Sequence, residues 1–213
     1  MRRYAADVAV LARKDLTLEL RARDTLPAML LFVVSTLVVF HFALPKHSSD
    51  LAAKGLLWVA IVFTALVGLT RAFVAEREQR LIDGLLLAPC DRSAIWLGKC
   101  AAVLAFLGVA ELVALPAYAA FFSGIGWSTI VAVVLADIGI VAVGTLLSAV
   151  AAVSRTRELL LPVLFLPLAI PVIVGGVGAS VAESPGRYLG FLCLYDVVFA
   201  IISWASFEYV VTE

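Results

Sequence analysis

Six apolar runs, each about twenty residues long, leave this chain little choice of fold: 26–44, 55–74, 98–122, 129–153, 159–177 and 188–207. A run of that length covers a hydrocarbon core of roughly 30 Å, and lipid offers no water to peptide groups, so each run must close its own hydrogen bonds as a helix. A membrane barrel would alternate apolar and polar residues, and these runs do not. The expected fold is therefore all-α, an integral membrane bundle of six transmembrane helices. Composition agrees, with 63% of the 213 residues hydrophobic and 15% charged, against roughly 45 to 50% and 25% in a water-soluble domain. Sixteen basic and sixteen acidic residues cancel. No global field points to nucleic acid, and the lipid bilayer is the first partner.

Basic residues beside the spans set the expected orientation. Arg2, Arg3, Arg13, Lys14, Arg21 and Arg23 precede the first span, Arg71, Arg77, Arg80, Arg92 and Lys99 flank the second connection, and Arg155 and Arg157 fill the fourth. The other side carries only Lys46, Lys54 and Arg187. Both termini are thus expected on the cytoplasmic side, or in the matrix of an organelle. Met1-Arg2-Arg3-Tyr4 leads into a mixed-charge stretch with no short apolar core and small-residue cleavage site, so no removable signal peptide is expected. Trp58, Trp96, Trp127 and Trp204 fall within about two turns of span ends, the level indole rings prefer. Short connections and the lack of an internal repeat argue for a single transmembrane domain over 1–213. A repeat of the kind that builds secondary transporters is unsupported.

Residues 1–24 read as an amphipathic helix, with Tyr4, Val8, Leu11 and Leu18 on one face and Arg3, Lys14 and Arg21 on another. Asp15 interrupts the apolar face. Such a helix would lie along the inner membrane surface before turning into the first span, unless the stretch is simply a basic flank that fixes topology.

The connection after the second span, "AEREQRLIDGLLLAPCDRSAIWLGK", carries most of the charge in the middle of the chain. Glu76 and Arg80 are one helical turn apart; Leu81 and Leu85 share a face, with Ile82 and Leu86 beside them. Asp83 and Gly84 interrupt this short amphipathic helix, Pro89 ends it, and Asp91 is placed to cap the next span. A loop that only reconnects two helices needs far fewer residues. An apolar face with charged edges suits a groove on a soluble partner; it suits equally a seat on lipid headgroups or beneath the protein's own spans.

The order of these parts, an amphipathic first helix, six spans, the charged connection 76–99 and a proline-studded "LLLPVLFLPLAIPVIVGGVGAS" at span five, resembles the CcmB family, the permease subunits of the cytochrome c maturation ABC transporter, also called the haem exporter. The likeness covers nearly the whole chain. It implies that residues 75–91 form a coupling segment that seats on an ATPase through Glu76, Arg77, Glu78, Arg80, Leu81, Ile82, Asp83, Gly84, Leu85, Leu86, Leu87 and Pro89, with Arg155 and Arg157 placed to touch the same partner. It further implies a separate ATPase chain, CcmA, two copies of each chain in a 2:2 core, and work alongside CcmC, CcmD and the haem chaperone CcmE. A bacterial inner membrane, or a mitochondrial one, is the implied location.

The chain's own chemistry fits that division of labour. A P-loop needs a glycine-rich turn followed by Lys and Ser/Thr, whereas Gly98-Lys99 is followed by Cys100 and lacks the glycine five residues upstream. ATP and magnesium are expected on the partner, and this chain is expected to be non-catalytic. No Cys-x-x-Cys-His attachment motif is present, nor the tryptophan-rich motif of haem-handling relatives. His41 and His47 could ligate iron, but a lone histidine bonded to its surroundings is the plainer reading of His41. Cys90, Cys100 and Cys193 are dispersed, which indicates neither a disulfide nor a metal site. Haem is expected as a handled ligand, with no cofactor held by this chain.

Two features lie inside the spans. Pro162, Pro167 and Pro171 in span five each remove a backbone donor, and Gly175, Gly176 and Gly178 follow, so a kinked helix with a broken, flexible end is expected, either merely bent or acting as a gate. Glu111, Asp137 and Asp196 sit at the middle to outer half of the membrane, the last two roughly 12 Å from its edge. No lysine or arginine reaches that depth, so neutral, hydrogen-bonding carboxyl groups are expected there. Either they glue helices through Tyr118, Thr145 or Ser148, or at least two of them converge on one polar interface that opens during transport. With Pro116 in span three, these residues make up the candidate gating set.

Rival classes are an ATPase-independent secondary transporter and an integral membrane enzyme. Asp83-Gly84 resembles the start of the CDP-alcohol phosphatidyltransferase motif but lacks the Ala-Arg and paired aspartates that complete it. Gly178-Ala179-Ser180-Val181 misses the last glycine of an intramembrane serine protease.

Overall fold

The computed structural model describes residues 2–45, 50–73, 91–122, 124–154 and 157–212. Among these the chain forms seven helices and no strand: α1 (Arg2–Ala22), α2 (Thr25–Ala43), α3 (Asp50–Arg71), α4 (Arg92–Phe121), α5 (Trp127–Val153), α6 (Arg157–Val181) and α7 (Gly186–Thr212). Helices α2 to α7 each contain a stretch long and apolar enough to cross a membrane.

Several helices outrun the apolar runs that announce them. Helix α4 begins at Arg92, six residues before Gly98, and α3 begins at Asp50, where an acidic side chain suits the positive end of the helix dipole. Asp91 occupies the N-cap position of α4 with extended backbone, yet its side chain makes no capping bond, contrary to its expected role. The cap contact is instead the Asp91 carbonyl accepting from the Ala94 N–H at 2.9 Å.

Between α1 and α2 the chain turns at Arg23, whose φ of 57° lies in the left-handed region. Its N–H still donates to the Glu19 carbonyl at 3.0 Å, so it closes α1 while redirecting the chain. The elbow is tied by the Thr25 hydroxyl donating to Glu19. Helix α1 packs mainly along the first turns of α4. Tyr4 donates to Ser93 at 3.1 Å. At Gly98 an added Cβ would meet the Leu11 Cβ at 2.8 Å, so the missing side chain is what lets α1 approach. The N-terminal helix is thus docked on the bundle.

Contacts between helix ends show an up-and-down arrangement. At one end Phe207 of α7 joins Phe73, Ile95, Trp96, Ala142 and Ala149 in a small apolar cluster, which gathers the end of α3, the start of α4 and the last turns of α5 and α7. At the other, His41 near the end of α2 bonds the Phe121 carbonyl at 2.8 Å, and Lys54 near the start of α3 donates to the Ser180 carbonyl of α6 at 2.7 Å. Phe73 and Asp91, the described residues on either side of 74–90, therefore lie at the end where α1 docks.

Helix α5 is the hub, packed on α6 and α7 and touching α3 and α4. In lipid, helices are drawn together by close packing more than by expulsion of water, which favours small residues at contacts. Gly144 of α5 lies where Leu69 of α3 enters, and Gly176 of α6 receives the indole of Trp58.

Trp58 and Trp96 are buried within the bundle, whereas Trp127 and Trp204 are exposed. One expectation is corrected here. Helix α6 runs unbroken to Val181, past the expected end at residue 177, because its glycines are packing surfaces: Leu192 covers Gly175, Trp58 covers Gly176 and Tyr188 covers Gly178.

Candidate functional site

The three intramembrane acids come from different helices and meet. Glu111 lies on α4, Asp137 on α5 and Asp196 on α7, with exposures of 7%, 4% and 6%. The Glu111 and Asp137 side chains are within hydrogen-bonding reach of one another, and Asp196 lies close enough to Asp137 to feel its charge. Gly139 makes this possible. An added Cβ there would occupy the place of the Asp196 carboxyl and would meet the Tyr195 Cδ1 at 2.8 Å.

The cluster is underbonded. Glu111 Oε1, Asp137 Oδ1 and both Asp196 carboxyl oxygens have no hydrogen-bond partner of good geometry among the described residues. Buried polar atoms without partners are costly. Of the helix-gluing partners expected from sequence, Ser148 is engaged elsewhere, and the Thr145 hydroxyl has no hydrogen-bond partner of good geometry among the described residues. Ser148 donates to the Leu69 carbonyl at 2.9 Å, tying α5 to α3, and Thr145 lies against Cys100. Among the described residues no group of three or more His, Cys, Asp or Glu side chains is arranged to hold a metal ion.

Around the cluster, Tyr195 donates to the Leu168 carbonyl of α6 at 2.8 Å, one turn from Pro171 and one residue after Pro167. The acid site thus adjoins the proline segment. Pro162, Pro167 and Pro171 all lie within the continuous α6, and Pro116 lies within α4 with its ring exposed. At the far end of α6, the Trp58 indole N–H donates to the Ser180 hydroxyl at 3.0 Å, and that hydroxyl donates to the Gly176 carbonyl at 2.8 Å. His41 is held by Phe121 and surrounded by Phe42, Phe121 and Phe122.

The expected docking residues Glu76, Arg77, Glu78, Arg80, Leu81, Ile82, Asp83, Gly84, Leu85, Leu86, Leu87 and Pro89 lie outside the described residues, as does Arg155. Arg157 opens α6. The stems of the connection, Phe73 and Asp91, are described, and beside them is a group that sequence reasoning missed. Lys99 Nζ lies 3.3 Å from the Asp15 carboxyl of α1, donates to the Ala72 carbonyl at 2.7 Å, and stands 4.9 Å from the centre of the Phe73 ring. Lys14 pairs with the other oxygen of Asp15 at 2.9 Å. The sequence does hold a signal for this: an aspartate on the apolar face of α1 and a lysine inside an apolar helix are violations of opposite sign.

The chain's likeness to known proteins can be set beside this geometry. The CcmB protein family model matches residues 6–207. The chain belongs to the CcmB family. Among CcmB-related sequences, "Heme exporter protein B" of Bradyrhizobium diazoefficiens is 26% identical over 205 residues, 92% of each chain. "Heme exporter protein B" of Pseudomonas aeruginosa is 29% identical over 184 residues, 84% of this chain and 82% of that one. The CcmB match takes in α2 to α6 entirely and nearly all of α1, so the docked N-terminal helix is part of what is shared.

Proposed function

We propose that the chain is the membrane-spanning permease subunit of an ABC transporter for cytochrome c biogenesis, coupling ATP hydrolysis on a separate subunit, CcmA, to haem export or to release of haem-loaded CcmE. The observation that carries this reading is the CcmB match over residues 6–207, joined by relatives named as haem exporters. Six helices of crossing length support a membrane pathway, and the lack of a P-loop in the sequence supports nucleotide chemistry on a partner. Under this reading the chain is not a catalyst, ATP and magnesium belong to the ATPase, and haem is cargo. Two copies of this chain join two ATPase subunits and work with CcmC, CcmD and CcmE in a bacterial or mitochondrial inner membrane, both termini on the ATPase side.

Residues 75–91 are the coupling segment, with Leu81, Leu85 and Leu86 as its apolar seat and Arg155 and Arg157 as neighbouring contacts. The acids Glu111, Asp137 and Asp196 form the polar interface that opens between α4, α5 and α7, and the prolines of α6 allow the wall beside it to bend. Co-purification tests the reading. The wild-type chain should retain an ATPase, and replacing Leu81, Leu85 and Leu86 by aspartate should release it while leaving the chain folded in the membrane. Full transport activity by the chain alone in proteoliposomes would instead mark a secondary carrier.

A further inference from the structure

We propose that Lys99 is the joint through which the 74–90 connection moves the N-terminal helix, so that α1, the end of α3 and the start of α4 respond together when the partner acts. The inference rests on the functional reading above, in which that connection receives the ATPase. It adds a positioning residue and an assigned moving part.

Position comes first. The connection departs just after Phe73 and returns at Asp91, and Lys99 lies two turns into the helix that begins there. Its ammonium reaches back to the Ala72 carbonyl and the Phe73 ring at the departing stem. One side chain therefore holds both stems of the connection. The same ammonium pairs with Asp15, in the middle of α1. Three separate stretches of chain meet on a single nitrogen.

Chemistry makes the joint tight. The side-chain exposures of Lys99 and Asp15 are 6% and 9%, so pulling them apart breaks a buried charge pair, even though Lys14 keeps the other Asp15 oxygen. Breaking a buried charge pair costs more in a medium that solvates charge poorly than sliding apolar surfaces past one another. Neighbouring contacts limit the remaining freedom: Gly98 keeps α1 and α4 in close approach, and the Tyr4 to Ser93 bond fixes the outer end of α1. Movement of the stems is then movement of α1.

The test uses the full complex of this chain with its ATPase in nanodiscs, with and without a non-hydrolysable ATP analogue. Hydrogen exchange is read separately over α1 and over the first turns of α4. In the wild type, nucleotide should change exchange in both. The double variant D15L/K99M removes both charges together so that neither is stranded, and K99R retains the cation. D15L/K99M should keep the ATPase and the α4 response but show a clearly reduced α1 response, and K99R should retain it. A wild-type α1 that ignores nucleotide while ATPase is bound overturns the joint without any variant, and so does an unchanged α1 response in D15L/K99M. If the wild-type chain retains no ATPase, the functional reading itself fails and the joint with it; ATPase retention with a silent α1 sinks the joint alone.

Discussion

Single residues in this chain divide sharply by what surrounds them. Gly176 lies beneath the Trp58 indole, while Gly55 has nothing within 4 Å of where a Cβ would stand. Gly176→Val should therefore destabilise the bundle by about 1–3 kcal/mol through overpacking. Gly55→Ala, in an open helical position, should stabilise it by about 0.5–1 kcal/mol. Thermal unfolding in a mild detergent, followed by intrinsic fluorescence and circular dichroism, separates the two. The buried charges behave differently again. Lys99→Met alone removes one of the two cations at Asp15 while Lys14 remains, and should cost about 1.5–3 kcal/mol, part of which D15L/K99M should return. None of these pairings is visible in the sequence. Gly176 and Trp58, or Asp15 and Lys99, are far apart along the chain, and periodicity within one helix says nothing about which face of another it meets.

At the scale of elements the sequence is far more legible. Six runs of crossing length become six helices because lipid permits no other way to satisfy the backbone, and that argument needs no tertiary information. What it misplaces are ends. Helix α4 starts at Arg92 because charged residues can enter a helix when partners await them, and α6 persists to Val181 because its glycines are filled by side chains from α3 and α7. The turn between α1 and α2 is expected, but the left-handed φ of Arg23 is not, since arginine is a poor sequence marker for it. Arg23→Gly should relieve that conformation and raise stability by about 1 kcal/mol. A melting temperature compared with that of the lysine variant at the same position, which keeps both charge and strain, checks the assignment.

Across the whole molecule the acid cluster is the feature that most needs a purpose. Each acid was visible as an anomaly in an apolar run, but their meeting required the helices to be assembled, because Gly139 on α5 decides where Asp196 on α7 can go. If the cluster opens during transport, Glu111→Gln and Asp137→Asn should insert and bind ATPase normally while lowering cytochrome c yield in cells, since each amide preserves shape but not proton exchange. Normal yield in both variants would reduce the cluster to helix packing. Helix α6, which borders it, is pinned at Ser180 by an indole and a lysine and carries Pro162, Pro167 and Pro171 between that pin and Arg157. A rod nailed at one tip and notched along its length is a lever: whatever bending the notches allow, its sweep is delivered to the opposite tip.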